Sequence, residues 1–526
     1  MRPLETSLVL ANLLTLILLV APLPGGVRWL RGVAAVGLLI AVAQVLVEGP
    51  RWQMAPAYVL TLSLLLAWLL GSLVPVGGPA GQVLTSRAVA GVGLGLGLLG
   101  LAISVAFPLV LPVFRFPQPG GSYAIGTVTY HWTDAARPEI FTTDPDARRE
   151  LMVQIWYPAG GGGSSPGAPY MTDADAVTAV FADVQQLPAF ILGHFKYATT
   201  NAVSSAPVAA DRPNYPVLLY IEGATGFRQM GMFQVEELVS HGYIVVALDQ
   251  PGAAAAVVFP DGHQVSAPPV TDLKAMIGAS YMQVDSKPLL NGRPLQGDSI
   301  VPYLVQDVTF ALDQLAALNQ ADPNGILSGR LDLQRVGAFG MSLGGIVAGE
   351  ACLRDTRLKA CLMMDAPMTF DVVAAGLRQP SMWITRDAAW MRLERERSGG
   401  WPEDEIAAHL TSMQATYEGL TGPGYFVEVA GMFHSNFMDV PIWLPLASLL
   451  GLSGPIDGQR GHRIVNAYSL AFFDSHLKHE PAALLDGPSE QYPEVLLQTR
   501  SPKWRSVWLY PRTTPRRAAR LNQEEL

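Results

Sequence analysis

Arg335-Val336-Gly337-Ala338-Phe339-Gly340-Met341-Ser342-Leu343-Gly344-Gly345 is the stretch on which the fold turns. A short apolar run ends in Gly-x-Ser-x-Gly, and a helix-like segment, Ile346 to Arg354, follows directly. That order predicts a strand, a strained turn carrying Ser342, and a helix, which together make a nucleophile elbow. Glycines two residues either side of the serine let neighbouring backbone pass without a Cβ clash. The same turn aims the amide of Leu343 and the start of the helix at an oxyanion forming on a substrate.

A serine that transfers acyl groups needs a base within hydrogen-bond reach and an acid to orient that base, in the chain order Ser, Asp/Glu, His. Of the nine histidines, His434 has the required placement. It follows the strand-like run Tyr425 to Val429 through the short loop Ala430-Gly431-Met432-Phe433. His462, His476 and His479 fall instead in a helix-like C-terminal stretch. Two aspartates compete for the acid. Asp365 ends the run Leu358 to Met364, directly after the elbow helix, and Asp387 follows Met382 to Thr385, one strand later. Spacing leaves both open.

Outward from the elbow, strand-like and helix-like segments alternate. Leu151 to Tyr157 is a strand closed by Pro158, and Gly160 to Gly167 is a glycine-rich loop. Val217 to Ile221 is a buried strand, Phe233 to His241 an amphipathic helix, Tyr243 to Leu248 a second buried strand, and Val301 to Leu318 a helix. Short apolar strands alternating with helices predict an α/β fold, a mostly parallel sheet with helices on both faces. The loops at the carboxyl ends of its strands build the site. The charged insert Trp390 to Leu420 reads either as a solvated helix pair or as a lid.

The first 113 residues are different. Four apolar runs, Ser7 to Ala21, Val33 to Val47, Ala55 to Val74 and Ala88 to Val113, fill them. A hydrocarbon core about 30 Å thick takes roughly 20 helical residues. The second run spans if Trp29 and Leu30 join it and Arg31 snorkels. No run carries a charge at its centre, which argues for an anchor and against a transport pathway. Arg2, Arg51 and Arg115 on one side balance Arg28, Arg31 and Arg87 on the other, so arginines do not set the orientation.

Beyond Val113 the chain has 30 basic and 42 acidic residues. This acidic body has no electrostatic footprint for nucleic acid. No metal-ligand spacing is present, and neither a metal nor an organic cofactor is implied. The two cysteines, Cys352 and Cys361, leave a disulfide possible but read rather as buried free thiols.

Six separated motifs carry a family resemblance. They are Gln154-Ile155-Trp156-Tyr157-Pro158; Pro216-Val217-Leu218-Leu219-Tyr220 with Gly223 and Gly226-Phe227-Arg228; Ser240-His241-Gly242-Tyr243-Ile244-Val245; and Gly340-Met341-Ser342-Leu343-Gly344-Gly345. Asp355-Thr356-Arg357-Leu358-Lys359 leading into Leu362-Met363-Met364-Asp365-Ala366, and His434-Ser435-Asn436-Phe437-Met438-Asp439, complete the set. From Met152 to His479 the chain resembles the platelet-activating factor acetylhydrolase (plasma-type) family of α/β-hydrolases; the membrane segment lies outside the resemblance. The resemblance implies Asp365 as the acid, with Asp387 the alternative. It also implies an oxyanion hole from the amides of Leu343 and Ala224. This chain departs from the family in having Glu222-Gly223-Ala224 where a His-Gly pair is usual. A carboxylate there opposes catalysis unless it points away or is paired, and Arg228 is its expected partner.

The expected organisation is a four-helix transmembrane region over 1–115, a linker and first strands over 116–150, an α/β-hydrolase catalytic domain over 151–485 and a C-terminal tail over 486–526. The expected activity is that of a multi-pass, membrane-anchored serine ester hydrolase acting on short-chain or oxidised acyl esters, with Ser342, Asp365 and His434 as triad. Exported bacterial relatives suggest an extracytoplasmic catalytic domain. The alternatives are a general carboxylesterase or polyester hydrolase and, in another class, a non-catalytic hydrolase-fold receptor or scaffold.

Overall fold

A computed structural model describes residues 1–73, 87–161, 167–284, 286–295, 298–500 and 507–509. Val74, the middle of the glycine-rich loop and 510–526 of the expected tail lie outside these residues. The chain forms two compact units. One holds Met1–Phe114 with the segments Phe190–Ala198 and Trp443–Pro445, and the other holds the remainder.

The first unit is built on helices α1 (Pro3–Val20), α2 (Val33–Val47), α3 (Ala55–Leu73) and α4 (Arg87–Val110). Four segments, Pro3–Val20, Gly25–Val47, Trp52–Leu73 and Val89–Val110, are long and apolar enough to cross a membrane. A 3₁₀ turn over Gly25–Gly32 lengthens the second to 23 residues and takes in Trp29 and Leu30. Arg31 turns back to the end of α1, where it donates to the carbonyls of Leu18 and Ala21 at 3.1 and 3.2 Å. These carbonyls have no intrahelical donor, and a cation is favourable beside them. Leu10, Leu46, Leu73 and Leu96 face outward, while polar groups pair inside the bundle. Thr61 donates to Asn12 Oδ1 at 2.9 Å, and the wholly buried Glu5 takes two 2.7 Å bonds from Arg51. A buried charge persists where its partner is also fixed.

The second unit is organised by an 11-stranded sheet. Its strands are β1 (Ala124–Pro138), β2 (Arg148–Ala159), β3 (Ala202–Ser204), β4 (Tyr215–Ile221), β5 (Ile244–Asp249) and β6 (Leu331–Met341). They continue as β7 (Leu358–Met364), β8 (Ser381–Thr385), β9 (Gly424–Val429), β10 (Val495–Arg500) and β11 (Val507–Leu509). The spatial order is β11-β10-β9-β8-β7-β6-β4-β5-β2-β1-β3. The six strands from β9 to β5 run parallel to one another, and β2 and β10 flank them antiparallel. Every residue of β4 and β5 is buried, which is why these strands read as unbroken apolar runs rather than alternating ones.

Two expectations are corrected. Strand β2 does not close at Pro158: it runs on to Ala159, Pro158 pairs with Ile125 of β1, and the Pro158 carbonyl accepts from Ala209 N at 2.9 Å. The stretch expected to be a tail contributes β10 and β11 to the sheet edge. Helix α5 (Met232–Ser240) follows β4, α6 (Val301–Gln320) precedes β6, and α7 (Leu343–Arg354) leaves the elbow. The insert folds as two helices, α8 (Ala388–Ser398) and α9 (Glu403–Gly419), between β8 and β9.

Candidate active site

Ser342 sits between β6 and α7 with φ 57° and ψ −125°, a conformation that a residue with a Cβ adopts only under strain. Its amide is held by the Met364 carbonyl at 2.9 Å, and its own carbonyl accepts from Ile346 N. The flanking glycines are required by close approach. A Cβ on Gly344 would stand 1.9 Å from the Ile221 carbonyl oxygen, and one on Gly340 would stand 2.4 Å from the Gly344 backbone. The elbow is thus pressed against the end of β4, and the loop that leaves β4 passes beside the serine. A Cβ on Gly223 would lie 3.3 Å from Ser342 Cβ.

That loop carries Glu222 and Ala224. Glu222 is buried, and its Oε1 accepts from Gln250 N at 3.1 Å. Arg228 is not its partner. Arg228 bonds Asp249 instead, through its guanidinium and, at 2.6 Å, its backbone amide. Burial, reinforced by the charge on Asp249, pushes the Glu222 carboxyl well up towards its neutral form. Behind it, Gln250 Nε2 reaches Asp307, which Arg149 and Arg137 hold by three bonds of 2.6–3.0 Å. At the place of the usual His-Gly pair the carboxyl faces Gln250 rather than Arg228, and its burial disfavours the charged form. Leu343 opens α7, where a helix leaves amide groups without intrahelical partners.

The candidate acid and base are in direct contact. His434 begins a short 3₁₀ turn after β9, and its Nδ1 lies 2.6 Å from Asp365 Oδ2. Asp365, directly after β7, has no exposed surface; its amide donates to Ile384 O at 2.9 Å. Thr385 Oγ1 donates to its Oδ1 at 3.1 Å, and Arg386 Nε to its Oδ2 at 3.0 Å. Burial alone would oppose ionisation. Arg386, His434 and His409 outweigh it and hold the Asp365 carboxyl well below the usual range.

Asp387 has a different occupation. It is exposed, and its Oδ1 accepts from Ala389 N and Trp390 N at 2.8 and 3.1 Å as the N-cap of α8. The alternative acid is therefore a helix cap, while His434 faces Asp365.

The insert supplies what sequence reasoning missed. Glu394 of α8 bonds Arg386 and accepts from His434 N at 3.2 Å. Trp401, between the two helices, places its ring 4.9 Å from those of both His434 and His409, and 5.2 Å from the Arg386 guanidinium. His409 Nε2 lies 3.9 Å from Asp365 Oδ1 in a buried setting that drives its imidazole down to about 3. The advance signal was weak: Trp401 and His409 on an insert whose many charges read as solvated. Asp439, the last residue of the His434 motif, caps α5 by accepting from Met232 N and Phe233 N at 2.9 Å each.

The cysteines are not free. Cys352 in α7 and Cys361 in β7 form a disulfide with Cα atoms 6.6 Å apart, tying the helix after Ser342 to the strand before Asp365. Buried free thiols were the preferred reading over a disulfide; the end of a helix and the adjoining strand bring the two within bonding range.

Residues 112–487 match the model of the family platelet-activating factor acetylhydrolase, isoform II. The chain belongs to that family. A probable 1-alkyl-2-acetylglycerophosphocholine esterase from Arthroderma benhamiae is 23% identical over 73% of this chain and 93% of its own length. A platelet-activating factor acetylhydrolase from Gallus gallus is 19% identical over 69% of this chain and 84% of its own. Among solved structures, a ferulic acid esterase from Streptomyces cinnamoneus superposes with a TM-score of 0.54 at 27% identity, covering 73% of this chain and 99% of its own. Family membership and structural neighbour alike place the protein among ester hydrolases of the α/β-hydrolase fold.

Proposed function

We propose that this platelet-activating factor acetylhydrolase family member is a membrane-anchored serine ester hydrolase with Ser342, His434 and Asp365 as its triad. The observation that carries the reading is the 2.6 Å bond between His434 Nδ1 and a buried, ionised Asp365. That bond fixes the tautomer in which His434 Nε2 is the free base. His434 takes the Ser342 proton as Oγ attacks the ester carbonyl, and the amides of Leu343 and Ala224 receive the oxyanion. Collapse expels the alcohol, which His434 protonates. Water, deprotonated by the same imidazole, then releases the acid and restores Ser342.

The relatives' names favour a short acyl chain, such as acetyl, on a phospholipid glycerol. The ferulic acid esterase neighbour favours a general carboxylesterase as the second reading. Four apolar segments with outward leucines support anchoring by an even number of crossings, which returns the catalytic unit to the side of the N-terminus. The Cys352–Cys361 bond supports an oxidising, extracytoplasmic side. With both cysteines bonded, a cysteine replacing the exposed Asp261 would be the one thiol for a membrane-impermeant maleimide. Labelling of intact cells is expected; labelling only after permeabilisation would place the catalytic unit in the cytoplasm.

The serine mechanism is tested with a fluorophosphonate probe and p-nitrophenyl acetate. Wild type should label and turn over, while Ser342→Ala and His434→Ala should fold but lose several orders of magnitude in rate. Activity within about tenfold of wild type in either variant would remove the mechanism and favour a scaffold.

A further inference from the structure

The acid and base are enclosed in a closed ring of contacts. Asp365 bonds His434; the His434 backbone amide donates to Glu394 Oε1; Glu394 Oε2 pairs with Arg386; and Arg386 Nε returns to Asp365. Four segments contribute to it: the ends of β7 and β8, helix α8, and the loop after β9. The Arg386 side chain has no exposed surface, so its charge is not screened by water, and it sits between two carboxylates with Trp401 across its face.

We infer that Arg386 is a positioning residue that sets how strongly His434 holds a proton, by drawing on the negative charge of Asp365 that would otherwise stabilise the imidazolium. The inference rests on the serine-hydrolase reading above. The ring also assigns Glu394 a role of opposite sign: it divides the charge of Arg386 and adds a negative group beside the His434 turn. The other polar neighbours of the pair are Thr385, a neutral hydroxyl, and His409, whose buried imidazole is uncharged above its depressed titration range. Arg386 is therefore the one permanent cation against the acid and base, among the described residues named here.

Neutral His434 is the active form, so the acidic limb of the kcat/KM–pH profile reports its protonation. Replacing Arg386 by an uncharged side chain leaves the Asp365 charge wholly to His434. The imidazolium then persists to higher pH, and the limb moves up. Arg386→Gln should shift it by on the order of one pH unit, the scale of an arginine's effect on a neighbouring carboxylate. Arg386→Lys keeps the charge but cannot span both carboxylates; its limb should stay near wild type while kcat falls. Glu394→Gln should move the limb the other way, to lower pH, because a negative group is lost.

The full-length chain in detergent micelles, with p-nitrophenyl acetate from pH 4 to 9, provides the measurement, and fluorophosphonate labelling checks each preparation. Opposite shifts in Arg386→Gln and Glu394→Gln, with Arg386→Lys restoring the limb, support the inference. Uniformly lowered rates with unmoved limbs overturn it and leave Arg386 a packing residue. Should Arg386→Gln not fold, Glu394→Gln decides alone: a downward shift supports the role and an unmoved limb removes it. A wild type that fails to label overturns the serine mechanism and this role together, whereas a labelled wild type with unmoved limbs overturns this role only.

Discussion

The carboxyl ends of β7 and β8 lie side by side in the sheet, and each is followed within two residues by an aspartate. Asp365 is buried among a histidine, a threonine and an arginine that all donate to it. Asp387 is exposed and accepts from two backbone amides at the start of α8. One carboxylate is held below its usual range against an imidazole; the other satisfies backbone amides at a helix end that water could also reach. The same chemical group at nearly the same height in the sheet is thus a buried partner of an imidazole in one place and an exposed helix cap in the other. Burial and the identity of the donors make the difference.

The largest effect that would break the contrast is on turnover. Asp365→Asn should lower kcat by about 10⁴, the loss seen where the orienting acid can no longer select the tautomer. Asp387→Asn should leave kcat within about twofold of wild type, since an asparagine also caps. Steady-state rates with p-nitrophenyl acetate decide between them. A large loss in Asp387→Asn with little in Asp365→Asn would assign the acid to β8.

A second difference between the strands is covalent. β7 is tied to the elbow helix by Cys352–Cys361, a bond across nine residues. Loop-closure entropy for so short a ring gives about 2–3 kcal/mol. The double variant Cys352→Ser/Cys361→Ser should lose that much against urea and keep its ester hydrolysis below the transition. Unchanged stability would mean that packing alone holds α7 against β7.

How far these features were legible depended on whether the information was local. The elbow was readable because Gly340, Ser342 and Gly344 are constrained by backbone within a few residues and by one neighbouring strand. The parallel strands were readable because strands buried on both faces are apolar throughout. The placement of His434 just after β9 was readable from the short loop that precedes it. The choice between Asp365 and Asp387 was not, because it depends on where two adjacent strands end relative to a third segment; the resemblance, and not the spacing, favoured Asp365. The insert was the least legible. Glu394, Trp401 and His409 sit among charges that read as solvated, and only tertiary packing turns them towards the acid and base. The Glu222–Arg228 pairing went wrong for a similar reason, since Asp249 at the end of the adjacent β5 competes for the same arginine.

The smallest predicted effect sharpens the comparison most, because it asks Asp387 to behave as a cap and nothing more. An N-cap aspartate replaced by alanine leaves two amides of the first helical turn without their acceptor, at a cost of about 1 kcal/mol. Asp387→Ala should therefore lower the urea midpoint slightly, and Asp387→Ser, which still accepts, should recover most of the loss. Neither should move kcat, because the α8 residue that touches the acid–base ring is Glu394, two turns further along the helix and packed against Arg386. A fall in kcat that tracks the lost stability across alanine and serine would show that the cap transmits to the site through α8. The insert would then be part of the catalytic framework rather than a neighbour leaning on it. A fall in kcat in both variants, without any change in the urea midpoint, would instead return Asp387 to the reaction.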